Sequence, residues 1–99
     1  MTTSTKSKQI YEEKVKAQLK KMNAQIDELK AKGKKAQANA SIEYHNQLEQ
    51  LYTKRDAAQR KLEEIQKAGE EAWSELQAGF EQAWNDLSTA FEKAAAKLQ

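Results

Sequence analysis

The chain has 99 residues, a net charge of +2, 32% charged residues and neither cysteine nor proline. That length allows one domain at most, and the missing cysteines exclude disulfides and thiolate chemistry. Ala, Glu, Lys, Leu and Arg make up just over half of the residues while Leu, Ile, Val and Phe are scarce, which excludes a thick globular core and points to long helices with thin apolar seams.

Residues 1–7 are mostly Thr, Ser and Lys without period. They lack the apolar core of a signal peptide. We expect a disordered tail in which Thr5 or Ser7 caps the first helix. No stretch approaches the roughly 18 apolar residues of a membrane span, so a cytoplasmic location is the expectation.

From Ile10 onward Val15, Leu19, Met22, Ile26 and Leu29 recur at alternating spacings of four and three. This is a heptad seam. It passes in phase through Gly33, Ala36 and Ala40, with side chains that shrink along the way. The phase predicts one continuous helix over about 8–67. The alternative is a turn near Gly33, in Lys32-Gly-Lys-Lys35, which would make a three-helix bundle. Beyond Ala40 the stripe shifts to Tyr44, Leu48, Leu51, Arg55, Ala58, Leu62 and Ile65. The step from Leu51 to Leu62, Trp73 and Trp84 is eleven residues each time. A mixture of seven- and eleven-residue periods implies little supercoiling.

Lys67-Ala-Gly69-Glu-Glu71 is the strongest break. A base stands in the last turn, Gly69 follows where a left-handed cap fits, and two acids open the next turn. A reversal at 68–69 is predicted, with a second helix over about 70–98.

That helix carries Trp73 and Trp84, Leu76 and Leu87, and Phe80 and Phe91, each pair eleven residues apart. Eleven residues make three turns at about 3.67 per turn, so all six fall on one stripe. Burying such a ring contributes on the order of 2–3 kcal/mol, and the stripe needs a surface to cover it. In a hairpin it docks on the small-residue part of the seam and leaves Val15 to Leu29 only partly covered. An uncovered apolar stripe predicts self-association or a partner helix. Residues 1–36 carry a net charge of +6, residues 37–67 none, and residues 68–99 carry −4. Surface pairs contribute only about 0–1 kcal/mol each, so this gradient selects orientation more than it stabilises.

Groups for chemistry are few. His45 and Glu49 stand at i,i+4, but two ligands make a weak metal site, and a solvated histidine is the simpler reading. Nothing resembles a nucleophile triad or a phosphate loop, so neither catalysis nor a cofactor is expected. Lys30, Lys32, Lys34 and Lys35, with Lys20 and Lys21 upstream, form a basic run. No aromatic interleaves it, which favours a solvated face over nucleic-acid binding. Eleven-residue Trp/Phe repeats also suit a helix lying flat on a membrane surface. This one is acidic from Glu70 to Glu92, a field that repels anionic lipid.

At Ile10-Tyr-Glu-Glu-Lys-Val-Lys-Ala-Gln-Leu19, Ile26-Asp-Glu-Leu29, Ser41-Ile-Glu-Tyr44 and Ala68-Gly-Glu-Glu-Ala-Trp73, the chain resembles a family of small coiled-coil proteins of cyanobacteria and proteobacteria of the stress-response type. The likeness spans about residues 9–95. The Ala-Gly-Glu-Glu-Ala-Trp segment followed by Trp84 is its most specific part. It implies an all-helical protein without catalytic residues, and an Ala where this chain has Gly33.

The expectation is therefore an all-α, long-helix antiparallel coiled-coil hairpin that forms oligomers. Val15, Leu19, Met22, Ile26, Leu29, Leu51, Leu62, Trp73, Leu76, Phe80, Trp84, Leu87 and Phe91 are its packing residues and Gly69 its turn. Its expected partner is a second copy or another helical protein, with a membrane surface as the alternative.

Overall fold

Three α-helices form where the apolar period is regular: α1 (Thr2–Lys35), α2 (Ile42–Lys67) and α3 (Trp73–Ala96). They are seen in a computed structural model that describes residues 2–35, 41–69 and 71–97. Long-range contacts give their directions. The Lys8 ammonium near the start of α1 donates to the carbonyls of Gln66 and Ala68, at 3.2 and 2.8 Å, at the end of α2. The Tyr44 hydroxyl at the start of α2 donates to the Leu29 carbonyl near the end of α1, at 3.1 Å. These two helices are antiparallel. Lys97 pairs with Glu43 at 3.1 Å, so α3 is antiparallel to α2. The Tyr11 ring lies 5.8 Å from that of Trp73, so α3 is parallel to α1. The bundle extends 54 Å along its axis and 17 Å in each direction across it.

The all-helical expectation holds, but the continuous helix over 8–67 does not. Helix α1 stops at Lys35, and Ser41 starts α2 as an extended residue (φ −78°, ψ 128°) whose side chain accepts from the Tyr44 N–H at 3.3 Å. This is a side-chain N-cap, which satisfies one of the orphan donors of a first turn. Helix α1 thus ends at Lys35 and α2, running the opposite way, starts from the Ser41 cap. Gly33 is helical and buried within α1. Ala36 and Ala40 of the predicted seam lie outside the described residues.

The chain start also differs from expectation. Helix α1 begins at Thr2 rather than after a tail ending at residue 7. No glycine or proline interrupts residues 2–7, and extending an existing helix is far easier than nucleating one. Thr5 and Ser7 therefore lie within α1 rather than at its start.

The second reversal falls where predicted, by a different device. Ala68 ends α2 by turning extended (φ −73°, ψ 149°), with its N–H still bonded to the carbonyls of Glu64 and Ile65. Gly69 does not adopt the left-handed backbone expected of it. The N–H groups of Ala72 and Trp73 then bond the Gly69 carbonyl at 3.2 Å each and start α3. The expected helix ends at Glu70 and Leu98 lie outside the described residues.

Three helices bury what two leave exposed. Val15, Leu19, Met22, Ile26 and Leu29 are each no more than 5% exposed. The seam predicted to be partly uncovered is thus covered within one chain, because α2 and α3 both lie along α1. Helices α2 and α3 pack most closely, and both bury alanines: Ala58 in α2, Ala90 and Ala94 in α3. Small side chains at a helix contact let the backbones approach.

Candidate functional site

Two stripes run along α3, and only one faces the core. Trp73, Phe80, Leu87 and Ala94 are buried, each seven residues after the last, with Ala90 beside them. In α2 the buried residues Tyr44, Leu48, Leu51, Ala58, Leu62 and Ile65 follow the same four-and-three rhythm. Arg55 takes the remaining place in that rhythm. It turns its guanidinium outward over the Tyr52 ring, at 5.2 Å, and onto Asp56 at 3.2 Å. All three helices therefore use a heptad, and the eleven-residue repeat is not what packs the core. The reason is mechanical: helices that share one core must keep the same period against each other.

The eleven-residue mates Trp84 and Phe91 are consequently displaced. They sit four residues after Phe80 and Leu87, on the flank of α3 that turns toward α1, and are only partly buried. Trp84 stacks on buried Phe80 with centroids 6.3 Å apart and planes 24° apart. An open groove of about 430 Å³ runs between the helices here, with Met22, Trp84 and Phe91 as its apolar lining. A smaller one of about 170 Å³ continues it toward the start of α1, past Tyr11 and Phe80. The aromatic floor is thus continuous from Tyr11 to Phe91.

The banks of this groove carry opposite charge. Lys14 and Lys21 stand on the α1 side, and Glu81 and Glu92 on the α3 side. All four are exposed. None belongs to the ion pairs of the described residues, which are Lys8–Glu12, Arg55–Asp56, Lys61–Glu64 and Lys97–Glu43. Burial, and then the charge of Glu81, push the Tyr11 hydroxyl above its ordinary pKa. It is neutral at physiological pH, and no described group hydrogen-bonds it.

The other predicted packing residues are where helix periodicity put them. Leu51 and Leu62 are buried, with Leu76 partly buried against the same core. The stripe through Tyr44, Leu48 and Leu51 anticipated the buried face of α2, but Tyr11, Ala90 and Ala94 did not stand among the expected packing residues. The alanines had a signal in their spacing from Trp73 and Leu87. Tyr11 had one in its place four residues before Val15.

His45 and Glu49 are exposed, and the described residues contain no group of three potential metal ligands. Lys32, Lys34 and Lys35 lie in the last turn of α1, where cations meet the negative end of the helix dipole. A hollow of about 510 Å³ beside Asn46, Glu49, Gln50, Thr53 and Lys54 is lined by α2 alone. It has no second wall to enclose a ligand. No described helix is long and apolar enough to cross a membrane.

Comparison with protein-family models, with curated proteins and with solved structures finds no match to this chain.

Proposed function

We propose that this is a non-enzymatic structural and interaction protein. Its folded bundle associates with helical protein surfaces, its own copies foremost, through the groove between α1 and α3. The observation that carries this reading is the placement of Trp84 and Phe91. Two large rings lie partly exposed on an open groove, beside a core that has already buried Phe80 and Leu87. A helix laid along the groove would finish their burial. A cytoplasmic, stress-related setting belongs to the same proposal and is supported by the resemblance described above.

The membrane-surface alternative is weakened by the fold. Trp73 and Phe80 point into the core, which leaves two of the four rings for lipid.

Trp84 reports on the groove. In Trp73→Phe it is the sole indole, and iodide quenching measures its access to solvent. Protection that grows with protein concentration, with no change on adding phosphatidylcholine or phosphatidylglycerol vesicles, is the expected result. Protection by vesicles alone would give the groove to lipid. An indole equally accessible in every case would end the reading.

A further inference from the structure

Resting on that reading, we infer that the occupant of the groove is a second copy of this chain, related by a two-fold axis parallel to the helices. Lys14 and Lys21 of each copy then face Glu81 and Glu92 of the other.

Lys14 and Glu81 line the same stretch of the groove, and Lys21 and Glu92 line the next. Because α1 and α3 run parallel, each lysine stands on the opposite bank from its glutamate along the same stretch of the groove; seven residues separate the lysines and eleven the glutamates, a difference of about one helical turn. A half-turn about an axis along the groove keeps each stretch at its height and exchanges the banks. The basic bank of one copy then lies opposite the acidic bank of the other, at both levels. A half-turn about an axis across the helices leaves the banks on their own sides, so lysines oppose lysines and glutamates oppose glutamates. Like charges brought together in this way disfavour that arrangement.

A closed two-fold contact is self-complementary by construction, and this groove meets the condition. Its four charged groups have no partner among the described ion pairs, so pairing them across an interface breaks nothing within the monomer. The floor contributes Trp84 and Phe91 from each copy, which meet around the axis and lose their exposure together. With a net charge of only +2 per chain, overall repulsion between copies is small.

Sedimentation equilibrium on the full chain tests the pairing. The variants are Lys14→Glu with Lys21→Glu, whose banks are both acidic, and Glu81→Lys with Glu92→Lys, whose banks are both basic. The four side chains are exposed, so helicity and melting should be retained, which circular dichroism verifies. Each double variant alone should dimerise at least about tenfold more weakly than the parent, and an equimolar mixture should regain parental affinity. Orientation is read separately. The chain has no cysteine, so a spin label at Ser74→Cys is unique. In the parallel dimer neighbouring helices hold the two labels within about 25 Å. In an antiparallel dimer the helical rise separates them by about 35 Å or more. A dimer with the longer distance, or one indifferent to the charge changes, overturns this inference. If Trp84→Gln still dissolves that dimer, groove-mediated association survives. A monomer at all concentrations with Trp84 unprotected removes both.

Discussion

Tyr44 lies where a side chain on Gly33 would be. A Cβ at residue 33 would come within 2.6 Å of the Tyr44 ring carbon that bears the hydroxyl. Tyr44 is 1% exposed and its hydroxyl is tied to the Leu29 carbonyl, so the ring has nowhere to move. Gly33→Ala should therefore destabilise the bundle by about 1–3 kcal/mol through overpacking, although alanine is the better helix former by about 1 kcal/mol. In a Tyr44→Ala background the same change should become stabilising. Denaturant melts of the four proteins give the coupling. A penalty unaltered by Tyr44→Ala would show that the contact is not its cause.

Buried Tyr44 and half-buried Tyr11 should respond differently to loss of their hydroxyls. Tyr44→Phe leaves the Leu29 carbonyl without the hydroxyl donor at 3.1 Å, and a loss of about 1 kcal/mol is expected. The Tyr11 hydroxyl has no described partner, so Tyr11→Phe should be neutral or mildly stabilising. Paired urea titrations decide the order.

Alkaline pH should weaken the fold through the same residues. Burial raises both hydroxyls above their ordinary pKa of 10.0, with help from Glu81 at Tyr11 and from Tyr52 at Tyr44. The folded chain thus keeps protons that the unfolded chain gives up. Stability contributed by the neutral phenols is complete below about pH 10 and falls as pH rises above it. Thermal melts between pH 9 and pH 11.5 should show this decline, and Tyr11→Phe with Tyr44→Phe should flatten it.

Lys8 closes the C-terminal end of α2 from another helix. Its ammonium bonds the carbonyls of Gln66 and Ala68 and lies 3.8 Å from Glu12. Lys8→Met keeps the aliphatic stem and removes the donors, and should cost about 1–2 kcal/mol. Hydrogen exchange should show the last turn of α2 opening more readily, and equal protection in both proteins would refute the cap.

At the second reversal, Gly69→Ala should be tolerated. An added Cβ meets nothing within 4 Å, and the backbone is not left-handed there. A gain of about 0.4–1 kcal/mol from a stiffer unfolded chain is expected, visible as a higher melting temperature. A marked loss would restore the glycine cap that Gly69 was first expected to provide.

Much of this protein was legible in its residues because helix and heptad are local properties. The spacing of Val15, Leu19, Met22, Ile26 and Leu29 specifies a helix and its inward face whatever covers that face. Lys67-Ala-Gly69-Glu-Glu71 likewise marks an end, since a base closes one helix before the glycine and two acids open the next. The first reversal was harder to see. No glycine or proline stands between Lys35 and Ser41, and the sign of a new helix is the Ser41 cap with Glu43 in the turn that follows.

By itself, then, the sequence determined that the chain is helical, which face of α1 is apolar, and that α3 carries more ring surface than a single stripe can hide. Only the tertiary structure decided which rings go inside. Trp73 recurs with Phe80 at seven residues and with Trp84 at eleven, and an isolated helix satisfies both periods. Once α1 and α2 surround α3, all three must share one rhythm, so the heptad prevails and Phe80 and Leu87 are buried. Trp84 and Phe91 are turned into the groove beside α1, where Lys14 and Lys21 face Glu81 and Glu92. No single helix contains that arrangement, because it exists only between two of them.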